Sequence, residues 1–234
     1  MALFSLAVLR QRVRQRADME TSQFVKDSEL NGYLNASIAE LYDVICQKYG
    51  NDYFAVSTII STTPSGLTYS LPSNFYKLLG VDVLTQGSNA SPDAVWTSVQ
   101  RFEFSERNRR LGSVYYNNSM GPGFRYRLLG NQILLDGSPG SVFSLRVWYI
   151  PTPVQLSADA DTFDGYNGWE EFAVVDAAIK CLEKEESDTR ALQSRKQFLE
   201  NRIESAAGNR DAGSAPRITD VTRINSGGIY GDFY

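Results

Sequence analysis

The sequence predicts an α+β protein: a helical bundle that carries an inserted antiparallel β-sandwich or barrel-like domain and ends in an extended C-terminal tail. Three observations predict it. Apolar residues recur every three or four positions near both ends of the chain, with residues 1–51 and 165–207 forming the helical part. Between them, over residues 52–164, period two replaces period three and a half and turn-forming residues punctuate short β-rich runs. After residue 207 the periodicity stops, and 208–234 is rich in Gly, Asn, Ser and Arg.

The first helix is predicted over residues 5–17, with Ser5 as a cap and Leu6, Leu9, Val13 and Ala17 on one face. Arg10 and Arg14 share one flank and Arg12 and Arg16 another, because residues four apart are neighbours on a helix surface. Two basic rows of this kind suit an acidic partner or a nucleic-acid backbone; they also suit a solvated flank. Asp27 and Ser28 offer caps for a second helix, with Leu30, Leu34, Ile38, Leu41 and Ile45 on its apolar face and Gly50 as terminator. Candidate strands follow at 54–61, 67–71, 79–84, 95–104, 124–129, 132–135 and 142–150, with Gly130-Asn131 as a two-residue hairpin turn. Such a block between helical halves is the pattern of a compact β domain inserted into a helical one. The last long helical stretch runs from Trp169 to Ala207. Phe172, Val175, Ile179 and Leu182 make one apolar series, and Leu192, Leu199, Ile203 and Ala206 a second. Ser187, Asp188 and Thr189, which favour helix starts, predict a break between them.

Composition bounds the function. At 234 residues the chain can bury a substantial core without staples, and its 42% apolar and 21% charged content is ordinary for a globular protein. The net charge of -4 is too small to demand a polyanionic partner. Two cysteines, Cys46 and Cys181, fall among apolar helical residues and are expected to be free thiols in a reducing compartment. No run reaches the roughly 18 apolar residues of a membrane span, so no membrane partner is expected. The apolar part of the N-terminus precedes its arginines, the reverse of a secretory signal. With no histidine in the chain, the commonest general base and metal ligand are missing.

Two constellations in the sequence have residue types that could carry chemistry. Asp159, Asp161, Asp164 and Glu170 superficially match a calcium loop, but Phe163 falls on a ligand position and Asp164 where glycine is required, so no metal is expected. Residues 101–127 hold six arginines (Arg101, Arg107, Arg109, Arg110, Arg125, Arg127) against two glutamates, interleaved with Phe102, Phe104, Tyr115, Tyr116, Phe124 and Tyr126. A sheet that stacks bases and neutralises phosphates uses these residue types; so does an ordinary strand with aromatics inward and arginines outward. Phosphate loops, nucleophile elbows and zinc-spaced cysteines are absent from the sequence, and neither an enzyme nor a cofactor is expected. The tail cannot fold alone, yet it ends with Ile229, Tyr230, Phe233 and Tyr234, apolar groups suited to ordering against another surface.

Several stretches together resemble the head-to-tail adaptor (head-completion) proteins of tailed bacteriophages: Leu9 to Met19, Asp27-Ser-Glu-Leu-Asn-Gly-Tyr-Leu-Asn35, Tyr69-Ser-Leu-Pro-Ser-Asn-Phe75, Leu145-Arg-Val-Trp-Tyr-Ile-Pro151, and Asn167-Gly-Trp-Glu-Glu through Lys184-Glu-Glu-Ser-Asp188 to Asn209-Arg-Asp211. The resemblance spans almost the whole chain and lies in the order of elements; residues 85–125 depart from it. It implies a virion structural protein, assembled in the host cytoplasm and placed in the neck, in a ring of about twelve copies that links portal to tail and extends the DNA channel. On that reading Leu199, Ile203, Ile218, Ile229, Tyr230, Phe233 and Tyr234 meet the portal or a neighbouring subunit. Arg10, Arg12, Arg14, Arg16, Arg107, Arg109 and Arg110 become candidates for contact with genomic DNA or an acidic partner. The break at Ser187-Asp188-Thr189 would separate an arm packed in the monomer from one that projects toward a neighbour or the portal. The alternative function is a nucleic-acid-binding β module with helical support.

Overall fold

The computed structural model describes residues 3–21, 24–107, 124–137 and 139–210. The tail positions Ile218, Ile229, Tyr230, Phe233 and Tyr234, and Arg109 and Arg110, lie outside the described residues.

Helices α1 (Leu6–Arg16) and α2 (Asp27–Tyr49) follow the predicted periodicity. The Ser5 hydroxyl accepts from the Val8 N–H at 3.4 Å, as an N-cap does. For α2 the predicted cap shifts: Asp27 is the first helical residue and Lys26 precedes it without a side-chain cap bond. Asp27 and Glu29 in the first turn still complement the positive end of the helix dipole. Gly50 ends the helix at φ 102°, a value that strains any residue with a Cβ.

The single turn α3 (Gly165–Gly168) contains Tyr166 and Asn167 in left-handed conformations. It leads into α4 (Glu170–Lys184), which a five-residue turn separates from α5 (Arg190–Gly208). At that turn Asp188 Oδ1 accepts from the Arg190 N–H at 3.0 Å, so the predicted break is real and Asp188, not Thr189, satisfies the helix start. α4 is the centre of the bundle, in contact with α1, α2 and α5. Phe172, Ala173, Val174, Val175, Ala177, Ala178 and Ile179 are all buried. Burial in the middle of α4 therefore extends beyond the face of the predicted Phe172, Val175, Ile179 and Leu182 series, because three alanines let neighbouring helices close round it.

Between the helical halves, β2 (Val56–Ser61), β4 (Phe75–Gln86), β5 (Val95–Ser98) and β8 (Ser144–Pro151) form an antiparallel sheet in the order β2-β8-β4-β5. β3 (Thr68–Ser70), β6 (Tyr126–Leu129) and β7 (Gln132–Leu135) form a second, in the order β3-β7-β6. Gly130, at φ 57°, makes the predicted tight turn between β6 and β7. Both sheets supply one core: Val81, Val83, Leu145 and Val147 from the first, with Tyr69, Tyr126, Ile133 and Leu135 from the second. The strands thus form two antiparallel sheets that share one core, and among the described residues they close no barrel. The predicted strand at 95–104 stops at Ser98. Val99 donates to Val81 of the first sheet while Phe102 donates to Tyr126 of the second, so the chain crosses between sheets there instead of continuing in one.

A short pair, β1 (Phe4–Ser5) with β9 (Thr162–Phe163), was not predicted and clamps the N-terminus to the chain that returns from the β module. Leu156 and Phe163 join the helical core cluster, so the end of the stretch read as β insertion packs with the helices.

Candidate interaction surfaces

The four arginines of α1 meet carboxylates of their own chain. Arg10 pairs with Asp159 at 2.5 Å and approaches Asp27 at 3.8 Å; Arg14 pairs with Asp27 at 2.8 Å and donates to the Val25 carbonyl at 2.9 Å. The Arg14 hydrogen bond holds the Asp27 carboxyl below its usual pKa. Arg12 approaches Glu170 at 3.7 Å with its guanidinium 4.2 Å from the Phe4 ring, and Arg16 pairs with Glu171. The basic rows therefore fasten α1 to the N-termini of α2 and α4. Arg10 and Arg14 are largely covered in doing so, whereas Arg12 and Arg16 keep about two-fifths of their side chains open, at 39% and 41%. The aspartates considered for calcium are also engaged: Asp161 accepts from the Ser157 and Ala158 N–H groups at 2.7 and 2.8 Å, and Asp164 from the Tyr166 N–H at 2.9 Å.

In the β module the aromatic–arginine alternation resolves inward and outward. Phe102, Phe124 and Tyr126 are buried and cannot stack on a base. Arg125 is held by Asp136, which is fully enclosed, through its backbone N–H at 2.6 Å and its Nε at 2.7 Å, and by Glu106 at 2.9 Å. Arg127 donates to the Phe102 carbonyl at 3.2 Å and to Glu103 at 3.3 Å. Arg107 donates to the Phe104 carbonyl at 3.1 Å and lies over the Phe104 ring.

Leu199 and Ile203, expected to project toward a partner, are instead 2% and 0% exposed in the helical core. The apolar stripe of α5 is the one that closes against α2 and α4, which is why these two side chains are covered. Facing outward are Arg195, Phe198 and Arg202, spaced three and four apart on one side of α5. Phe198 is 52% exposed, flanked by the Arg195 guanidinium at 5.3 Å and the Arg202 guanidinium at 6.0 Å, and Arg202 also lies 5.6 Å from the Trp169 ring. Among the described residues no carboxylate forms an ion pair with Arg195 or Arg202, in contrast to every arginine of α1. The spacing rule could have found this stripe, but the buried series on the same helix gave the stronger pattern.

Sequence reasoning also missed Asp176, 3% exposed within the bundle. Its Oδ1 accepts from Lys196 Nζ at 2.8 Å and its Oδ2 from Lys180, while Lys180 reaches Ser37 at 3.0 Å and Glu40 at 3.3 Å and Lys196 reaches Glu40 at 2.7 Å. The network ties α2, α4 and α5 together by charge.

Charge is thus used internally on α1 and left open at Arg195 and Arg202 of α5. The family model of the SU10 adaptor protein matches residues 4–220. The chain belongs to this adaptor family. It is a bacteriophage structural adaptor, as the order of its elements led one to expect. No curated protein matches the sequence. Among the described residues of the adaptor, no helix is long and apolar enough to cross a membrane.

Proposed function

We propose that this adaptor forms a ring under the portal, extends the DNA channel and links portal to tail in the virion neck. The observation that carries the reading is the outer face of α5, where Arg195, Phe198 and Arg202 stand uncompensated on the helix that leads directly into the tail. Aromatic and arginine side chains are the commonest energetic centres of protein interfaces, and the pairing of two cations with one ring suits an acidic, partly apolar partner surface. We assign this face, together with Ile229, Tyr230, Phe233 and Tyr234 of the tail, to the portal. Copies of the chain, twelve if the resemblance holds in number, would complete the ring. Arg12 and Arg16, with their partly open side chains, and the segment of Arg107, Arg109 and Arg110 are the candidates for the channel wall or the tail-side partner.

Replacement of Phe198 by Asp tests the assignment. The variant is expected to keep the melting temperature of the parent, since the side chain is exposed, and to lose at least about tenfold in joining tails to portal-containing particles that lack the adaptor, the scale of a central interface residue. Joining at the parental level would overturn it. Phe102, Phe124 and Tyr126 are buried, Phe104 is exposed beneath the Arg107 guanidinium, and Arg107, Arg125 and Arg127 are held by acids or carbonyls, so the adaptor reading is preferred to a nucleic-acid-binding one.

A further inference from the structure

β4 is the longest strand of the first sheet, and only one of its sides is paired along most of its length. β8 accompanies it from Phe75 to Val83, but β5 covers the opposite side only from Asp82 to Gln86. The chain after β5 adds a last bond there, from the Val99 N–H to the Val81 carbonyl at 2.8 Å. Among the described residues no strand pairs with that side over Phe75–Gly80. The second sheet has an open stretch of its own. Tyr126 of β6 accepts from the Phe102 N–H at 3.0 Å and donates to the Gln100 carbonyl at 2.9 Å. Backbone groups alternate sides along an antiparallel strand, so those of Leu128 face the same way, and among the described residues no strand pairs with them there.

Between these two stretches lies a cleft of about 450 Å³, walled by Tyr76, Leu79, Tyr126 and Leu128. Lys77 and Arg101 also line it, and both are exposed. Lys77 Nζ donates to the neutral Asn51 Oδ1 at 2.6 Å, and among the described residues neither cation meets a carboxylate. The acids that act on the two tyrosines are already engaged. Asp43 accepts from the Tyr76 hydroxyl at 3.2 Å, and Asp82 from the Ser98 hydroxyl at 2.9 Å and from Trp148 Nε1 at 2.8 Å.

We infer that this cleft takes an extended acidic segment of a partner protein, which pairs by its main chain with the free side of β4 and sets carboxylates against Lys77 and Arg101. Open backbone groups recruit an extended chain, and the cations beside them select its charge. A nucleic acid would use the cations but not the strand edge. The edge strand β2 of a second copy, Val-Ser-Thr-Ile-Ile-Ser, carries no charge and would leave both cations unmatched. The inference goes beyond the α5 face and does not rest on it, because different residues carry it.

Hydrogen exchange of the full chain tests it with a short capped peptide of alternating valine and glutamate. The amides of residues 76–80 that face the cleft are expected to exchange about tenfold or more slowly with the peptide bound. Arg101→Glu, a change at an exposed side chain, should keep the parental melting temperature and weaken the peptide at least about tenfold, the scale of a lost hydrogen bond between charged groups. The same peptide N-methylated throughout should give no protection, since it cannot donate to a strand edge. Absence of protection in the parent, or equal protection by the N-methylated peptide, would overturn the inference. So would protection that needs no peptide and grows with protein concentration, which would put a second copy in the cleft. Equal protection by a thymidine oligonucleotide would overturn it as well, because the cations alone would then account for binding.

Discussion

A carboxylate enclosed by three helices persists in charged form only when its counter-charges are enclosed with it. Burial alone would raise the pKa of Asp176; the hydrogen bonds from Lys180, Lys196 and Ser37 overcome that and lower it from 3.8 to about 2. Because the folded value lies below the unfolded one, the contribution of Asp176 to stability is complete above the unfolded pKa and is lost as the pH falls toward 2. Asp176→Asn is expected to cost about 2–3 kcal/mol at neutral pH, less than for a sealed pair because the lysines reach water. Urea unfolding across pH 2 to 7 checks this: the difference between parent and variant should shrink as the solution is acidified. A constant difference at every pH would show that packing, not charge, is what the substitution disturbs. Nothing in the sequence marks Asp176. It stands among apolar and alanine positions, and its partners lie four, twenty and more residues away on other helical turns.

At the scale of the element, α5 carries two stripes with opposite duties. Leu199 and Ile203 close the bundle, whereas Arg195, Phe198 and Arg202 point away from it. Leu199→Ser or Ile203→Ser is therefore expected to destabilise the monomer by about 2–5 kcal/mol, the range for emptying a core position. Differential scanning calorimetry of each variant measures it, and an unchanged melting temperature would return these residues to the outer surface. Periodicity made both helices of the Trp169–Ala207 stretch legible, along with the break between them. It could not say that α4 would be enclosed nearly all round, because that depends on α1, α2 and α5 arriving on three sides of its alanines.

For the molecule as a whole, the decisive feature is the seam between helices and sheets. Asn35 on α2 makes a reciprocal pair with the Leu156 backbone, donating to its carbonyl at 2.9 Å and accepting from its N–H at 2.9 Å. Tyr42 donates to the Pro151 carbonyl at 2.8 Å and stacks on Phe54 with ring centroids 4.3 Å apart, and Tyr166 packs on both. These contacts make the β module a fixed extension of the bundle, as a part that transmits position between two partners requires. Asn35→Ala leaves the buried Leu156 N–H unpaired and is expected to cost about 1–3 kcal/mol. It should also speed exchange of the Leu156 amide more than that of the α2 amides; equal acceleration throughout would mean that the seam and the bundle open together.

The sequence by itself determined the order of elements, the helical and β-rich stretches, the Gly130 turn and the break before α5. Each of these rests on local chemistry: the spacing of apolar residues, the conformations open to glycine, the capping groups. It also carried the family, whose likeness lies in that order. Only the tertiary structure decided where charge is consumed and where it is left. The arginines of α1, read as facing outward, are matched by Asp27, Asp159, Glu170 and Glu171, residues distant in the chain that packing brings within reach. On α5 Arg190 pairs with Asp188, but among the described residues Arg195 and Arg202 have no such acids beside them. Whether a charged residue is solvated, paired or offered to a partner depends on what the rest of the chain places opposite it, and linear spacing does not contain that information.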